Sequence, residues 1–403
     1  MRLQASDLPA CPAGILARGR GSRSARLAAH LATCLGAGQA RSGARLPPVR
    51  ETAAHFGVDK ATAAKAYREL ERRGLLQRLG RGSRAVRTVA SVGDLPRLPQ
   101  TILVVDQHES RVQTDGELPA GSPYRLMDGI TRCCQARDWS VMLATPAQAL
   151  AHLTRFSPSA IITLATGSRG SEVARVAGAG AIPLAVYGDL LHIATADTVC
   201  SDHATGARQL VLALADSGRR RIAMRSLTGE LPWVLERQRG YREALAERRL
   251  PILPPIILTD ERVWYDPAQP LPLRSQALAG QFAGLMTGDS PPDAILALSD
   301  GDALLIGAAM RLFNRRVHED VAIVGYDDYW RHSTETAQGA PPPLMTVDKD
   351  LPAIGAALAS LAMARAEGTA PATPQRVLIA PQMRMVGDLP PPGRRRRPVR
   401  TRR

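Results

Sequence analysis

Residues 46–86 read LPPVRETAAHFGVDKATAAKAYRELERRGLLQRLGRGSRAV. Pro47-Pro48 opens a helix over Val49–Phe56, and Gly57 ends it. Asp59 can cap a second helix from Lys60 to Arg73, which Gly74 stops. Leu75–Gln77 and Ala85–Arg87 predict two short strands, closed by Gly80-Arg81-Gly82. Helix, turn, helix and a basic wing is an arrangement that sets its second helix into a DNA major groove with the wing alongside. Side chains in the first turns of such a helix reach base edges, and the polar residues there are Lys60, Thr62 and Lys65. Arg78, Arg81 and Arg84 can add phosphate contacts, while Ala66, Tyr67 and Leu70 form the apolar face.

The charge distribution supports this placement. Residues 1–100 hold 18 Lys/Arg against 6 Asp/Glu, and residues 389–403 hold 7 Arg and no acid. The body between them, 101–388, holds 27 basic and 31 acidic residues. Two basic ends around a mildly acidic middle favour a polyanion at the ends and a different ligand in the middle. Ser24–Leu35, with Leu27, Leu31 and Leu35 at four-residue spacing, predicts a helix ahead of the quoted stretch. The five cysteines, at 11, 34, 133, 134 and 200, show no metal-ligand spacing and fit a reducing compartment. The first 20 residues carry no continuous apolar run, and no segment approaches the roughly 20 apolar residues of a membrane span, so a cytoplasmic protein is expected.

From Thr101 onward short apolar strands alternate with helices. Strands are expected at Thr101–Val105, Ser140–Leu143, Ala160–Leu164, Leu184–Val186, Arg221–Met224, Ile256–Leu258, Ala294–Ala297 and Val321–Val324. Helices are expected near Tyr124–Arg137 and Ala147–Phe156, among others. That rhythm implies an α/β body with one or two parallel, doubly wound sheets, which bind ligands at the carboxyl ends of their strands. The expected organisation is a loose basic N-terminus (1–22), a winged helix-turn-helix (23–87), a linker (88–100), the α/β body (101–388) and an Arg-rich tail (389–403).

Two resemblances emerge from these residues. Residues 23–87 resemble the winged-helix domain of the GntR family through Leu46-Pro47, Arg50-Glu51, Gly57-Val58, Thr62, Ala66-Tyr67-Arg68, Gly74-Leu75 and Gly80-Arg81-Gly82. The resemblance implies that Arg50 holds the phosphate backbone, that Lys60 and Thr62 begin the recognition helix, and that Arg81 and Gly82 reach the minor groove. Many members of that family carry Arg at the position of Ala64, and here the base is displaced to Lys65.

The body resembles the sensor domain of the LacI family, itself similar to periplasmic sugar-binding proteins. Four segments carry the likeness: Val199–Ala223, RQRGYREAL at 237–245, Pro292–Tyr329 and PPLMTVDKDLPAIG at 342–355. It implies two interleaved lobes, with chain crossings near Met224, Val347 and Leu378. Lobe 1 would comprise about 101–224 and 348–377, and lobe 2 about 225–347 and 378–388. The resemblance further implies a cleft lined by Asp202, Arg237, Asp300 and Asp327, with Trp264 near a sugar-stacking aromatic and Tyr124 at the cleft edge. Ser299 departs from the Asn usual before Asp300. Carboxylates and an Arg fork satisfy hydroxyl pairs, and an aromatic face covers the apolar side of a sugar ring.

Together the two resemblances imply a DNA-binding transcriptional regulator of the arabinose-repressor type. It would be a homodimer on double-stranded operator DNA, released by a small, sugar-like effector. A nucleoside or other non-sugar effector stays open. An enzymatic body is disfavoured: Lys349 is the only lysine past Lys65 and lies in a Pro-bearing crossing, and Gly167–Ser171 lacks GxGxxG spacing. No cofactor and no metal are expected.

Overall fold

The computed structural model describes residues 22–36, 44–72, 76–80, 83–86, 95–106, 123–164, 167–188, 193–227, 231–257 and 269–387. The expected loose N-terminus, the tail, Arg81, Gly82 and Trp264 lie outside the described residues.

The amino-terminal domain contains α1 (Arg23–Gly36), α2 (Val49–His55) and α3 (Lys60–Arg72), then the wing strands β1 (Leu76–Gly80) and β2 (Ser83–Val86). The wing strands pair antiparallel, Leu76 opposite Val86. Leu27 and Leu31 from α1, Ala53 from α2 and Phe56 at its C-cap, and Ala63, Ala66, Tyr67 and Leu70 from α3 share one core with Leu76. The Tyr67 hydroxyl sits at its polar edge, donating to the Pro47 carbonyl at 2.8 Å and lying 2.5 Å from Thr52 Oγ1. That buried bond fixes the angle between α2 and α3.

The body begins with β3 (Arg97–Val105), four residues earlier than expected, because Arg97 and Leu98 already pair with Ser157 and Pro158. There follow α4 (Pro123–Gln135), β4 (Ser140–Ala144), α5 (Pro146–His152), β5 (Ser157–Thr163), α6 (Gly167–Ala179), β6 (Leu184–Tyr187) and β7 (Asp197–Ser201). Next come α7 (His203–Asp216), β8 (Ile222–Ser226), α8 (Pro232–Glu247), β9 (Ile256–Ile257), α9 (Leu271–Thr287), β10 (Ala294–Leu296), α10 (Asp300–Leu312), β11 (Ala322–Val324), α11 (Thr334–Ala337) and β12 (Met345–Asp348). The chain ends its described course with α12 (Leu351–Ala366), β13 (Arg376–Ile379) and β14 (Gln382–Met385).

Two parallel sheets result. The first has order β13-β7-β6-β5-β3-β4 and the second β11-β10-β8-β9, while β12 and β14 form a separate antiparallel pair. Both faces of each sheet are covered. Ile102 and Val104 point into a core with α4 and α12, and Leu103 and Val105 into one with α5 and α6. In the second sheet Ile222, Met224, Ala294 and Leu296 pack against α7 and α8, and Ala223, Ile295 and Ile323 against α9 and α10. Two-sided burial explains why these strands read as short apolar runs rather than as alternating ones. Gly240, inside the RQRGYREAL segment, marks the α7–α8 contact: a Cβ there would lie 2.0 Å from the Ala204 carbonyl oxygen.

The crossings between lobes correct one expectation. The chain leaves the first sheet after Ser201, not near Met224. Leu210, Val211 and Leu214 of α7 pack on Ile222 and Met224, so α7 belongs wholly to the second lobe. The second crossing is Lys349-Asp350, just past Val347. The third lies between Ile379 and Gln382, because Leu378 still pairs with Cys200 in the first sheet before β14 returns to β12. Strands β12, β13 and β14 were not foreseen. Each lies at a sheet margin or beside a crossing, where its pattern is short or mixed.

Candidate functional site

Two surfaces carry polar side chains in arrangements that the fold alone does not require. On α3, Ala63, Ala66, Tyr67 and Leu70 are buried, and the opposite face exposes Ala61, Lys65, Arg68 and Arg72, with Ala64 half-buried beside them. Among the described residues, no hydrogen bond or ion pair engages the side chain of Lys60, Lys65 or Arg68. Arg72 is paired with Glu69. Asp59 caps the helix, accepting from the Thr62 amide at 2.8 Å and the Thr62 hydroxyl at 2.6 Å. The Thr62 side-chain bond, with its amide, holds the Asp59 carboxyl below the usual carboxylate range. The Thr62 hydroxyl proton is therefore committed to the cap, which leaves its oxygen as an acceptor. Arg50, on the first turn of α2, and Arg78, on the wing, are exposed. Arg68 was not singled out from sequence, although its i+3 spacing from Lys65 places it on the same face.

The second surface lies between the lobes, at the carboxyl ends of β6, β8, β10 and β11. Arg237 of α8 is 2% exposed. Its Nε donates to His203 Nδ1 at 3.2 Å, Nη1 donates to the Leu298 carbonyl, and Nη2 lies 3.3 Å from Asp327 Oδ1. Nδ1 of His203 is the acceptor of that bond. The guanidinium carbon stands 3.5 Å from the Tyr326 ring centroid and 4.5 Å from that of Trp233. Such stacking favours a planar cation.

Asp327 follows β11 with φ 90°, and Asp328 follows with φ 52°, both in the left-handed region that non-glycine residues rarely occupy. The Asp327 amide bond to the Val347 carbonyl (2.9 Å) and the Asp328 amide bond to Thr346 Oγ1 (3.2 Å) hold this turn. Backbone strain of this kind collects at binding sites. Lys349 Nζ reaches the same Oδ1 of Asp327 at 3.2 Å. Burial works to raise the Asp327 carboxyl, and Lys349 and then Arg237 overcome it, so the group stays ionised below the ordinary range. Among the described residues no group is bonded to Asp327 Oδ2, which leaves an acceptor beside two cations.

The other residues expected at the cleft divide. Asp202 caps α7, accepting from the Thr205 amide at 3.0 Å and the Thr205 hydroxyl at 2.7 Å. Asp300 is fully buried beneath the cleft. Its Oδ1 accepts from the Thr346 hydroxyl at 2.6 Å, and Oδ2 from the Tyr329 and Trp330 amides at 2.7 and 3.1 Å. It braces the turn that presents Asp327. Gly325 makes room for it, since a Cβ there would lie 2.1 Å from Asp300 Oδ1. Burial pushes the Asp300 carboxyl up to about 7 against these hydrogen bonds. Ser299, the departure noted above, caps α10 by accepting from the Asp302 amide. Tyr124 lies in the first turn of α4. His203, Trp233, Tyr326 and Lys349 join the site without having been singled out for it. Trp233 was detectable, because it precedes Arg237 by four residues on one helix face. Among the described residues no group of three or more His, Cys, Asp or Glu is placed to hold a metal ion, and no helix is long and apolar enough to cross a membrane.

A winged helix joined to two lobes that the chain crosses three times defines the class: a helix-turn-helix module on a binding-protein-like body. Residues 23–86 match the model for bacterial regulatory proteins of the gntR family, and residues 211–385 match a periplasmic binding protein-like domain. The chain thus carries a gntR-family helix-turn-helix segment followed by a periplasmic binding protein-like segment. It is 31% identical over 169 residues to the HTH-type transcriptional regulator CelR of Thermobifida fusca, covering 41% of this chain and 44% of CelR. It is 27% identical over 231 residues to the ribose operon repressor of Haemophilus influenzae, covering 55% and 64%. The chain therefore spans about half the length of these curated relatives. The solved complex of the transcriptional regulator CelR with cellobiose superposes with a TM-score of 0.56 at 20% identity, over 84% of this chain and 98% of that one. A LacI-family regulatory protein from Chloroflexus aggregans superposes at 0.55, also 20% identical, over 71% and 97%. At that identity the two structures bear on fold alone.

Proposed function

We propose that this chain is a ligand-responsive, sequence-specific DNA-binding transcriptional regulator: a repressor released when a small sugar-like effector enters the cleft. The observation that carries the reading is the unpartnered cationic face of α3, covalently joined to a hinged cleft in which an ionised aspartate is held by two cations. Lys60, Lys65 and Arg68 meet the major groove and its phosphates, with Arg50, Arg78, Arg81 and Gly82 contributing backbone and minor-groove contacts. In the cleft, Asp327 accepts from effector hydroxyls through Oδ2, Arg237 fixes its orientation, and Trp233 and Tyr326 supply aromatic surface. The ribose operon repressor, 27% identical over 231 residues, supports a carbohydrate. Two copies act together on two half-sites in the cytoplasm, at the nucleoid. The effector favours one lobe arrangement and so changes the spacing of the two readers. It can do so only by binding the two arrangements unequally.

The test is selection from random-sequence duplexes with the full-length chain, followed by challenge of the selected complex with ribose, xylose, glucose and cellobiose in fluorescence anisotropy. The expected result is an enriched two-fold-symmetric sequence that at least one sugar releases. Absence of enrichment over competitor DNA removes the reader. Enriched DNA indifferent to every sugar removes the carbohydrate half and leaves the reader standing.

A further inference from the structure

Lys349 stands in the two-residue crossing between β12 in the second lobe and α12 in the first. Its ammonium is 3.2 Å from Asp327 Oδ1, at the end of β11 in the second lobe, and 3.4 Å from the Tyr187 hydroxyl, at the end of β6 in the first. The side chain is only 15% exposed. Neither partner can follow a moving lobe freely. Asp327 is held by Arg237 and by its amide bond to Val347, and Tyr187 is 7% exposed in the first-lobe core.

We infer that Lys349 is a positioning residue that ties the two lobes together across the cleft and so sets the balance between lobe arrangements. A rotation that separates β6 from β11 breaks the longer, neutral bond to Tyr187 first, because the bond to ionised Asp327 is charge-assisted and the stronger of the two. Lys349 then stays with the second lobe. The same ammonium touches the carboxylate assigned above to the effector, so a ligand that draws on Asp327 acts directly on the tie. A second ionic link runs alongside: Asp348 lies 3.6 Å from Arg125 of α4 and accepts from Arg384 of β14 at 3.2 Å. That link sits at the base of the crossing, where a given rotation displaces it less. The inference uses the reading of Asp327 as effector ligand only for its consequence, and the tie itself is testable with no effector present.

The experiment measures interlobe distance in the full-length chain by double electron–electron resonance. Nitroxides are carried on p-acetylphenylalanine placed at exposed Arg175 on α6 and exposed Arg242 on α8, which leaves the native cysteines in place. The expected result is that Lys349→Met raises the ratio of longer to shorter distances about fivefold, the scale of one hydrogen bond. Tyr187→Phe does the same, the double variant moves no further than either single one, and Lys349→Arg restores the wild-type distribution. If Lys349→Met fails to give a cooperative melt, Tyr187→Phe, which keeps the ring in the core, carries the test. Distributions for both single variants that superpose on wild type would overturn the tie. Added shifts in the double variant would also overturn it, because the two groups would then act separately. A failed sugar screen, by contrast, leaves the distance result untouched.

Discussion

Helices α3 and α8 are both rich in basic residues, and the two treat their charge in opposite ways. On α8, Arg239 is held by Glu236 at 2.7 Å and Glu243 at 2.8 Å, and Arg237 is buried with all three nitrogens engaged. Elsewhere in the body Arg137 meets Glu367, Arg248 meets Asp216, Arg274 meets Glu335 and Arg365 meets Asp197. On α3, by contrast, Lys60, Lys65 and Arg68 meet water. A cation that already has a carboxylate gains little from an incoming phosphate, whereas one without releases counterions when it binds. Basic composition alone therefore does not locate a polyanion surface. Several cations without acidic neighbours on one helix face do.

The contrast is broken most directly by removing the three unpartnered cations. Lys60→Ala, Lys65→Ala and Arg68→Ala together are expected to cut affinity for the selected duplex by about a thousandfold at 0.15 M salt. They should also lower the salt slope of log K by about 2 to 3. Arg239→Gln, removing a paired base on α8, should change neither quantity, and anisotropy titrations at several salt concentrations check both. Arg237→Ala comes next. It strips partners from Leu298, His203 and Asp327 at once and should cost the body about 3 kcal/mol in urea unfolding, with DNA affinity at 20 °C nearly intact.

Asp300→Asn probes a pH-dependent term. A carboxyl held near 7 in the fold but near 3.9 in the unfolded chain binds more protons when folded, so its contribution to stability is present below about pH 4 and is lost as pH rises toward 7. The stability of wild type relative to Asp300→Asn should therefore fall by about 1–3 kcal/mol between pH 5 and pH 8, measured by urea unfolding at each pH. A difference that rises with pH would reverse the assignment. Smallest is Asp59→Ala, which removes the α3 cap: about 1 kcal/mol of stability and a few-fold in duplex affinity.

How much of this was legible in the sequence depended on how local each feature is. The helix-turn-helix was fully readable, because Pro, Gly and Asp sit at the helix ends and Tyr67 and Leu70 repeat at helical spacing. The parallel strands were readable where both faces are buried, as in β3, β5 and β10. Strand β13, RVLI, escaped because it is a margin strand with an exposed alternate face. The first crossing escaped because an apolar helix such as α7 does not reveal which of two sheets it covers. In the cleft, Asp327 and Arg237 were foreseen as ligands, and the structure adds that they bind each other. Asp202 and Asp300 were foreseen as cleft groups, and the structure shows their carboxylates bonded to a helix end and a turn. A carboxylate's partner is set by contacts 3 to 46 residues away, as between Asp202 and Thr205 or Asp300 and Thr346, and residue type does not choose between them.

The triple passage of the chain between lobes also constrains how the molecule can be made. The sheet that begins with β3 has an open margin at β7 until β13 is delivered, and β12 has no antiparallel mate until β14 follows. During synthesis the amino-terminal module can close its core from its own residues alone. Both halves of the receptor must instead wait for the segment 376–385. A nascent protein interrupted upstream of that segment would have its amino-terminal core complete while both lobes of the body still lacked a strand.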